Sequence, residues 1–212
     1  MIRRFDLPGR LALFPLSEAV LMPRSRLPLQ IFEPRYLQMI EDALRTDHRL
    51  IGMIQPQEGR LGDLAEIGCA GRIVAFSEAD DGRYMITLGA VSRFRLISVE
   101  PGFQPYIQGE VDWSEFTRDA LHATEADPEF DRDAFLQKLG RYVDAHDLST
   151  DWEAARSVDE EMLINSLAML LPFQPEEKQA LLEAATLSER RELLDGLMEY
   201  SLRGGDAEET LQ

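Results

Sequence analysis

Pro28-Leu29-Gln30-Ile31-Phe32-Glu33-Pro34-Arg35-Tyr36 is the stretch on which the reading of this chain turns. Its first part is apolar, reads as a strand and ends at Phe32. Pro34 then stands in the first turn of a helix, where a missing N–H costs nothing. Tyr36, Leu37, Ile40 and Leu44 follow at helical spacing. The stretch is therefore a strand-to-helix corner. Glu33 lies just before the helix and can meet the positive end of its dipole. Arg35 can fork onto a carboxylate or several carbonyls and pin the corner. Tyr36 has a ring to pack and a hydroxyl to offer to the backbone.

Around this corner the first half of the chain reads mostly as strands. Leu11-Ala12-Leu13-Phe14 is a short apolar run closed by Pro15. Arg72-Ile73-Val74-Ala75-Phe76 leads through Asp80-Asp81-Gly82 into Tyr84-Met85-Ile86-Thr87-Leu88. That pattern is a hairpin, with Asp81-Gly82 expected to supply the positive φ angles of a tight turn. Phe94–Val99 and Tyr106–Val111 read as further strands. Many short strands with one helix point to a small barrel or pseudo-barrel.

The second half reads as helices. Asp131 is placed to cap one that runs through Phe135, Leu139, Tyr142 and Val143. Ser157-Val158-Asp159-Glu160 has the form of a capping box. Leu163, Leu167, Leu170 and Leu171 form one stripe, which Pro172 stops. Pro175 opens another helix, and Ser188 is placed to cap a last one carrying Leu193, Leu194, Leu197 and Met198. Short connections between antiparallel helices imply a bundle.

Composition limits what such a protein can do. The chain has 212 residues, of which 44% are hydrophobic and 29% charged, so it folds rather than staying disordered. Thirty-nine acids face 22 bases, a formal charge of -17, which argues against nucleic acid or an anionic membrane as the main partner. The charge is uneven: residues 1–112 carry a net of -2 and residues 113–212 a net of -15. A boundary is expected near Trp113. Glu125, Asp127, Glu129, Asp131 and Asp133 alternate through the segment that follows, which reads as a solvated linker. A calcium loop is the alternative, but its turn glycine is absent. The expected division is a β-rich lobe at 1–112, an acidic linker at 113–132, a helical lobe at 133–203 and a frayed tail at 204–212. The start, Met1 to Phe5, is not followed by a clean apolar run, so no secretory signal is expected. No run approaches the ~18 apolar residues of a spanning helix. A single cysteine fits a reducing, cytoplasmic setting.

The chemistry of most enzyme classes is missing. Only two lysines occur, Lys138 and Lys178, and neither follows a glycine, so there is no phosphate-binding P-loop. GxGxxG, GxSxG and HExxH motifs are absent. His48, His122 and His146 lie far apart, and none neighbours Cys69, which reads as a small buried hydrophobe. No zinc set is evident, and no metal or cofactor is expected. Glu160-Glu161 and Glu176-Glu177 fall in first helical turns, where acids favour the dipole. Gly68-Cys69-Ala70-Gly71 matches the GxxG of a nucleic-acid-binding loop, but close backbone approach explains its glycines better.

The opening corner, together with Leu13-Phe14-Pro15-Leu16 and Val20-Leu21-Met22-Pro23, resembles the amino-terminal substrate-binding domain of Lon proteases, whose hallmark phrase surrounds Pro28 to Tyr36. Glu66-Ile67-Gly68-Cys69-Ala70 is similar to that family's strand entry, with Cys69 where threonine is usual. Gly89–Arg95 resembles its G-x-x-R-F strand, and Leu171-Pro172-Phe173 through Glu183 its closing segment. The resemblance spans about residues 10–200. It implies an α+β fold: a PUA-like β pseudo-barrel with one helix, followed by an α-helical bundle. The ATPase and serine–lysine peptidase of a full Lon protease have no counterpart here, so a non-catalytic, stand-alone domain is expected.

The function implied is recognition of a protein or an unfolded polypeptide, through apolar grooves on the barrel and between the lobes. Met22, Phe32, Arg35, Tyr36 and Met53 are the candidate contacts. Pro28, Glu33, Pro34, Gly68, Arg93 and Phe94 are expected to shape the fold. The alternative is RNA binding through the barrel, with Arg72, Arg93 and Arg95 as phosphate contacts. A hydrolase would need a cleft with perturbed acids. The sequence does not fix an oligomeric state.

Overall fold

A computed structural model describes residues 7–100, 102–119 and 124–209. It contains six strands, β1 (Arg10–Pro15), β2 (Arg26–Ile31), β3 (Leu50–Ile54), β4 (Ile67–Glu78), β5 (Tyr84–Glu100) and β6 (Ile107–Asp112). Its six α-helices are α1 (Pro34–Leu44), α2 (Arg132–Ala145), α3 (Trp152–Ser157), α4 (Glu160–Leu170), α5 (Pro175–Glu183) and α6 (Leu187–Glu209). The expected frayed tail therefore starts inside a helix; Thr210 to Gln212 and the start, Met1 to Phe5, lie outside the described residues.

The six strands form one mixed sheet in the order β2-β5-β4-β3-β1-β6. β1 and β3 run parallel and the other pairs antiparallel. β5 also pairs with β6, so the ladder returns on itself around β5, β4, β3, β1 and β6. Leu11, Leu13, Leu50, Ile54, Phe94 and Leu96 fill the enclosed core. Two glycines make the closure possible. A Cβ on Gly68 would stand 2.5 Å from the Phe94 ring, and one on Gly109 2.6 Å from Leu96.

Several elements differ from the sequence reading. Leu50–Ile54 is buried on both faces, so it lacks the alternation by which a strand is noticed. Residues 84–100 make one long strand rather than two, because β5 serves β2 at one end and β6 at the other. In the hairpin turn only Gly82 has positive φ, at 79°. Its amide donates to Ala79 and that of Ala79 to Arg83, which makes a three-residue loop.

The chain forms two compact units: residues 1–122 with 172–182, and residues 123–171 with 183–212. The expected helical lobe at 133–203 is thus interrupted, since α5 belongs almost wholly to the unit that holds the sheet. Its side chains give the reason. Gln179 donates to the Ile67 carbonyl at 3.0 Å and Lys178 to that of Glu18 at 3.0 Å, and Leu181 and Leu182 are buried. Burial holds the Lys178 ammonium below its usual pKa.

The same unit is closed by an ion pair. Arg93 on β5 meets Asp119 with Nε–Oδ2 at 2.9 Å and Nη2–Oδ1 at 3.0 Å. Its Nη1 reaches the Leu182 carbonyl at 2.9 Å, and its guanidinium lies 4.4 Å from the centre of the Phe116 ring. Both partners are almost fully buried.

In the other unit α6 packs on α2 and α4. Asp131, Asp151 and Asp159 cap α2, α3 and α4. The box read at Ser157 is displaced, since that hydroxyl bonds back to the Glu153 carbonyl. Thr186, not Ser188, receives the Glu189 amide at the start of α6. The acidic segment is not a solvated linker. Asp127 is only 4% exposed, held by Arg191 at 2.6 Å and Ser188 at 2.9 Å. Glu161, expected only at the helix dipole, is buried and accepts the Glu125 amide.

Two predictions follow from these pairs. Asp119→Ala strands a buried guanidinium and lowers unfolding free energy by about 3–5 kcal/mol in urea melts. Arg93→Met with Asp119→Leu costs clearly less than that, because no charge is left uncompensated. For Asp127, burial raises the carboxyl pKa, but the bonds from Arg191 and Ser188 outweigh it and the pKa lies below the usual value. Its contribution to stability is present above the unfolded carboxylate pKa and fades as pH falls through the lower folded value. The stability gap between the wild type and Asp127→Asn therefore narrows on acidification in that window, read by melting at a series of pH values.

Candidate functional site

β2 runs out at Ile31, and Glu33 occupies the N-cap position of α1 in an extended conformation with Pro34 behind it. The Glu33 side chain does not cap. It takes Arg35 instead, with Nη2 at 2.8 Å and Nε at 3.0 Å. Arg35 lies over the Tyr36 ring at 4.5 Å, and Tyr36 packs against Phe14 at 4.4 Å. Burial pushes the Tyr36 phenol up, partly offset by Arg35. α1 is tied down by Tyr84, which donates to Glu41 at 3.1 Å, and by Tyr106, which donates to Asp42 at 2.9 Å. Burial first and the Asp42 bond second push the Tyr106 phenol up to about 12.

This corner leaves Phe32 outside, 65% exposed. Met22 and Met53, read as partner contacts, are 0% and 2% exposed, so that reading is corrected. Their flexible thioethers fill core space and do not face a partner. Tyr36 is also buried, leaving Phe32 and Arg35 as the accessible members of the set.

The structure adds residues that the sequence reading missed. β4 continues past the end of β3, and β5 rises beside it. Val74 and Phe76 on β4 and Met85 on β5 are exposed. The signal was present as an apolar run on the hairpin, but only the early end of β3 uncovers it. The register sets Gln30 against Met85 and Ile31 against Tyr84, so β2 borders this apolar sheet end.

β2 is also an open edge. The Ala90 amide donates to the Ser25 carbonyl at 2.9 Å. In the alternation of an antiparallel ladder, Leu27, Leu29 and Ile31 then face β5, and Arg26, Pro28 and Gln30 turn outward. Pro28, which has no N–H, stands where none is needed.

Two of the three residues read as phosphate contacts are engaged elsewhere, and Arg72 stands apart from them with its Nε buried. Arg93 is buried on Asp119. Arg95 is clamped by Glu115 at 2.7 Å and Glu66 at 2.8 Å, the Glu115 bond raising its pKa. Among the described residues no cluster of His, Cys, Asp or Glu could hold a metal, and no helix is long and apolar enough to cross a membrane. His48 accepts the Leu50 amide, His146 bonds Tyr142 and Ser201, and His122 lies outside the described residues. Cys69 is buried. A cleft of about 380 Å³ lined by Asp133, Leu136, Gln137, Trp152 and Arg156 holds no aligned nucleophile and base.

The model of the ATP-dependent protease La (LON) substrate-binding domain matches residues 10–199. The chain belongs to this family. It is 26% identical over 208 residues to Lon protease 2 of Myxococcus xanthus, covering 92% of this chain and 24% of that protein. It is 26% identical over 207 residues to Lon protease 1 of Bdellovibrio bacteriovorus, covering 92% of this chain and 25% of that one. It thus spans about a quarter of the length of these curated relatives, in the substrate-binding domain and not the peptidase. The structure is similar to a Lon N-terminal domain protein from Xanthomonas campestris, with TM-score 0.63 and 27% identity over 87% of this chain and 96% of that one. The N-terminal domain of Mycobacterium avium complex Lon protease has TM-score 0.66 at 15% identity over 90% and 98%, a likeness of fold. The family points to substrate or protein recognition, and the Lon-domain fold here is α+β.

Stability should separate the two roles at the corner. Tyr36→Ala removes a buried ring and costs about 3–5 kcal/mol. Phe32→Ser stays within about 0.5 kcal/mol of wild type, as surface changes do. Urea denaturation reads both.

Proposed function

We propose that this chain is a non-catalytic recognition module that takes up extended, apolar polypeptide segments at the β2 edge, the Phe32 corner and Met85. The observation that carries the proposal is a large exposed aromatic, Phe32, at the end of a strand whose outer edge is open. An incoming strand would bond main chain to main chain with Arg26 and Gln30, which any sequence can do, and pack its side chains on Phe32 and Met85. Such a site reads extendedness and apolarity, the two properties an unfolded segment offers and a folded surface hides. The acidic second half of the chain favours basic clients and repels nucleic acid. In this reading the closed sheet is a PUA-like pseudo-barrel used as a rigid frame, the helices of the second unit form a bundle, and the module works in the cytoplasm.

The test is fluorescence anisotropy with one labelled protein in two forms, native and reduced-carboxymethylated. The unfolded form binds and the native form does not. Phe32→Ser with Met85→Ser weakens binding at least about tenfold, or 1.4 kcal/mol. Gln30→Pro, which deletes an outward N–H, weakens it with no loss of stability. Equal binding of both forms, or unchanged binding by the variants, would overturn the proposal.

A further inference from the structure

The sheet has a second open edge, on β4. β3 last touches it where the Ile73 amide donates to the Arg49 carbonyl at 3.0 Å, and Arg49, at φ 51°, turns the chain away. From Val74 to Glu78 β4 is paired on its β5 side only. The Ala79 amide bonds the Arg83 carbonyl at 2.8 Å, so Ala75 and Ser77, in step with it, face β5. Phe76 and Glu78 turn their main-chain groups outward. The register shift between Ile73 and Ala75 leaves the Val74 carbonyl outward as well.

Natural edges are normally blunted by proline, by charge in mid-strand or by a covering element. β2 carries Pro28. The β4 edge has none of these. Its centre is Val74-Ala75-Phe76, with Val74 50% and Phe76 43% exposed. Its charges stand at the two ends and have opposite sign: Arg49 and Arg72 at one, Glu78 and Asp80 at the other. Of the arginines described in this unit, Arg10, Arg35, Arg45, Arg60, Arg83, Arg93 and Arg95 are spent on carboxylates. Among the described residues these four have no ion-pair partner, and the Arg72 Nε is buried without a hydrogen bond.

An edge that is basic at one end and acidic at the other is complementary to itself when reversed. We propose that two copies of this chain associate by antiparallel pairing of their β4 edges about a two-fold axis at Phe76. Each Phe76 exchanges its N–H and C=O with its counterpart, and each Glu78 amide donates to the other copy's Val74 carbonyl. The two Phe76 rings meet at the axis. Glu78 and Asp80 of one copy come against Arg49 and Arg72 of the other, which answers these four charges at once. The closed contact is isologous, so it stops at two copies. It is independent of the client site on β2.

Sedimentation velocity of the full chain over a concentration series tests this. A monomer–dimer equilibrium is expected at about micromolar concentrations, weakened by salt. Phe76→Pro removes an N–H that is unused in the monomer and the ring at the axis, so it raises the dissociation constant more than about tenfold. Glu78→Arg weakens association in the same way, and adding Arg49→Glu restores it. That charge exchange reads the contact even if the proline variant fails to fold. A monomer at every concentration up to about 1 mM, or a dimer indifferent to both sets of variants, would overturn the proposal.

Discussion

A guanidinium out of water is the constraint around which the first unit is arranged. A guanidinium buried as Arg93 is needs partners, since an unpaired buried charge costs several kcal/mol of stability. Asp119 answers it with both oxygens, the Leu182 carbonyl takes a further N–H, and the Phe116 ring covers its face. Arg93 stands on β5, and its partners come from the segment after β6 and from the end of α5. One side chain therefore fixes where two otherwise irregular connections return to the sheet.

The Leu182 carbonyl that Arg93 reaches belongs to α5, a helix that falls in the unit of the sheet. Its sequence looks like its neighbours, with leucines at helical spacing and acids in its first turn. What distinguishes it is a pair of polar side chains, Lys178 and Gln179, that find the carbonyls of Glu18 between β1 and β2 and of Ile67 on β4. These bonds, with Leu181 and Leu182 buried beside them, hold α5 in the unit of the sheet.

Closure of the sheet sets what remains available. β6 pairs on both sides, which removes the edge that a six-stranded open sheet would have at that end. The unused edges are gathered at the opposite end, along β2 and the outer part of β4. Of the exposed apolar side chains of this end, Val74 and Phe76 lie on the outer part of β4, Phe32 just past the end of β2, and Met85 on β5 beside both edges. Surface apolarity and open hydrogen-bonding capacity together are what a strand-receiving site requires; either alone is not enough.

The corner at Phe32 to Tyr36 was legible because its signals are local: a proline that fits only a first helical turn, an arginine two residues from its carboxylate, and a helical apolar stripe. Asp131 as a cap and Cys69 as a buried hydrophobe were legible for the same reason. The long-range pairings were not. Nothing local marks Asp119 as the partner of Arg93, 26 residues earlier, or Asp127 as the partner of Arg191, 64 residues later. An acidic run looks solvated until the cations that bury it are known. Met22 and Met53 looked like adaptable contacts, but burial is a property of what surrounds a side chain, and only packing assigns it. The sequence by itself determined the family, the α+β character, the corner and the absence of familiar catalytic motifs, all carried by neighbours in the chain. The tertiary structure alone decided the strand order by which the sheet closes, the place of α5 and the two open edges, because each depends on which distant groups satisfy one another's charge and hydrogen bonds.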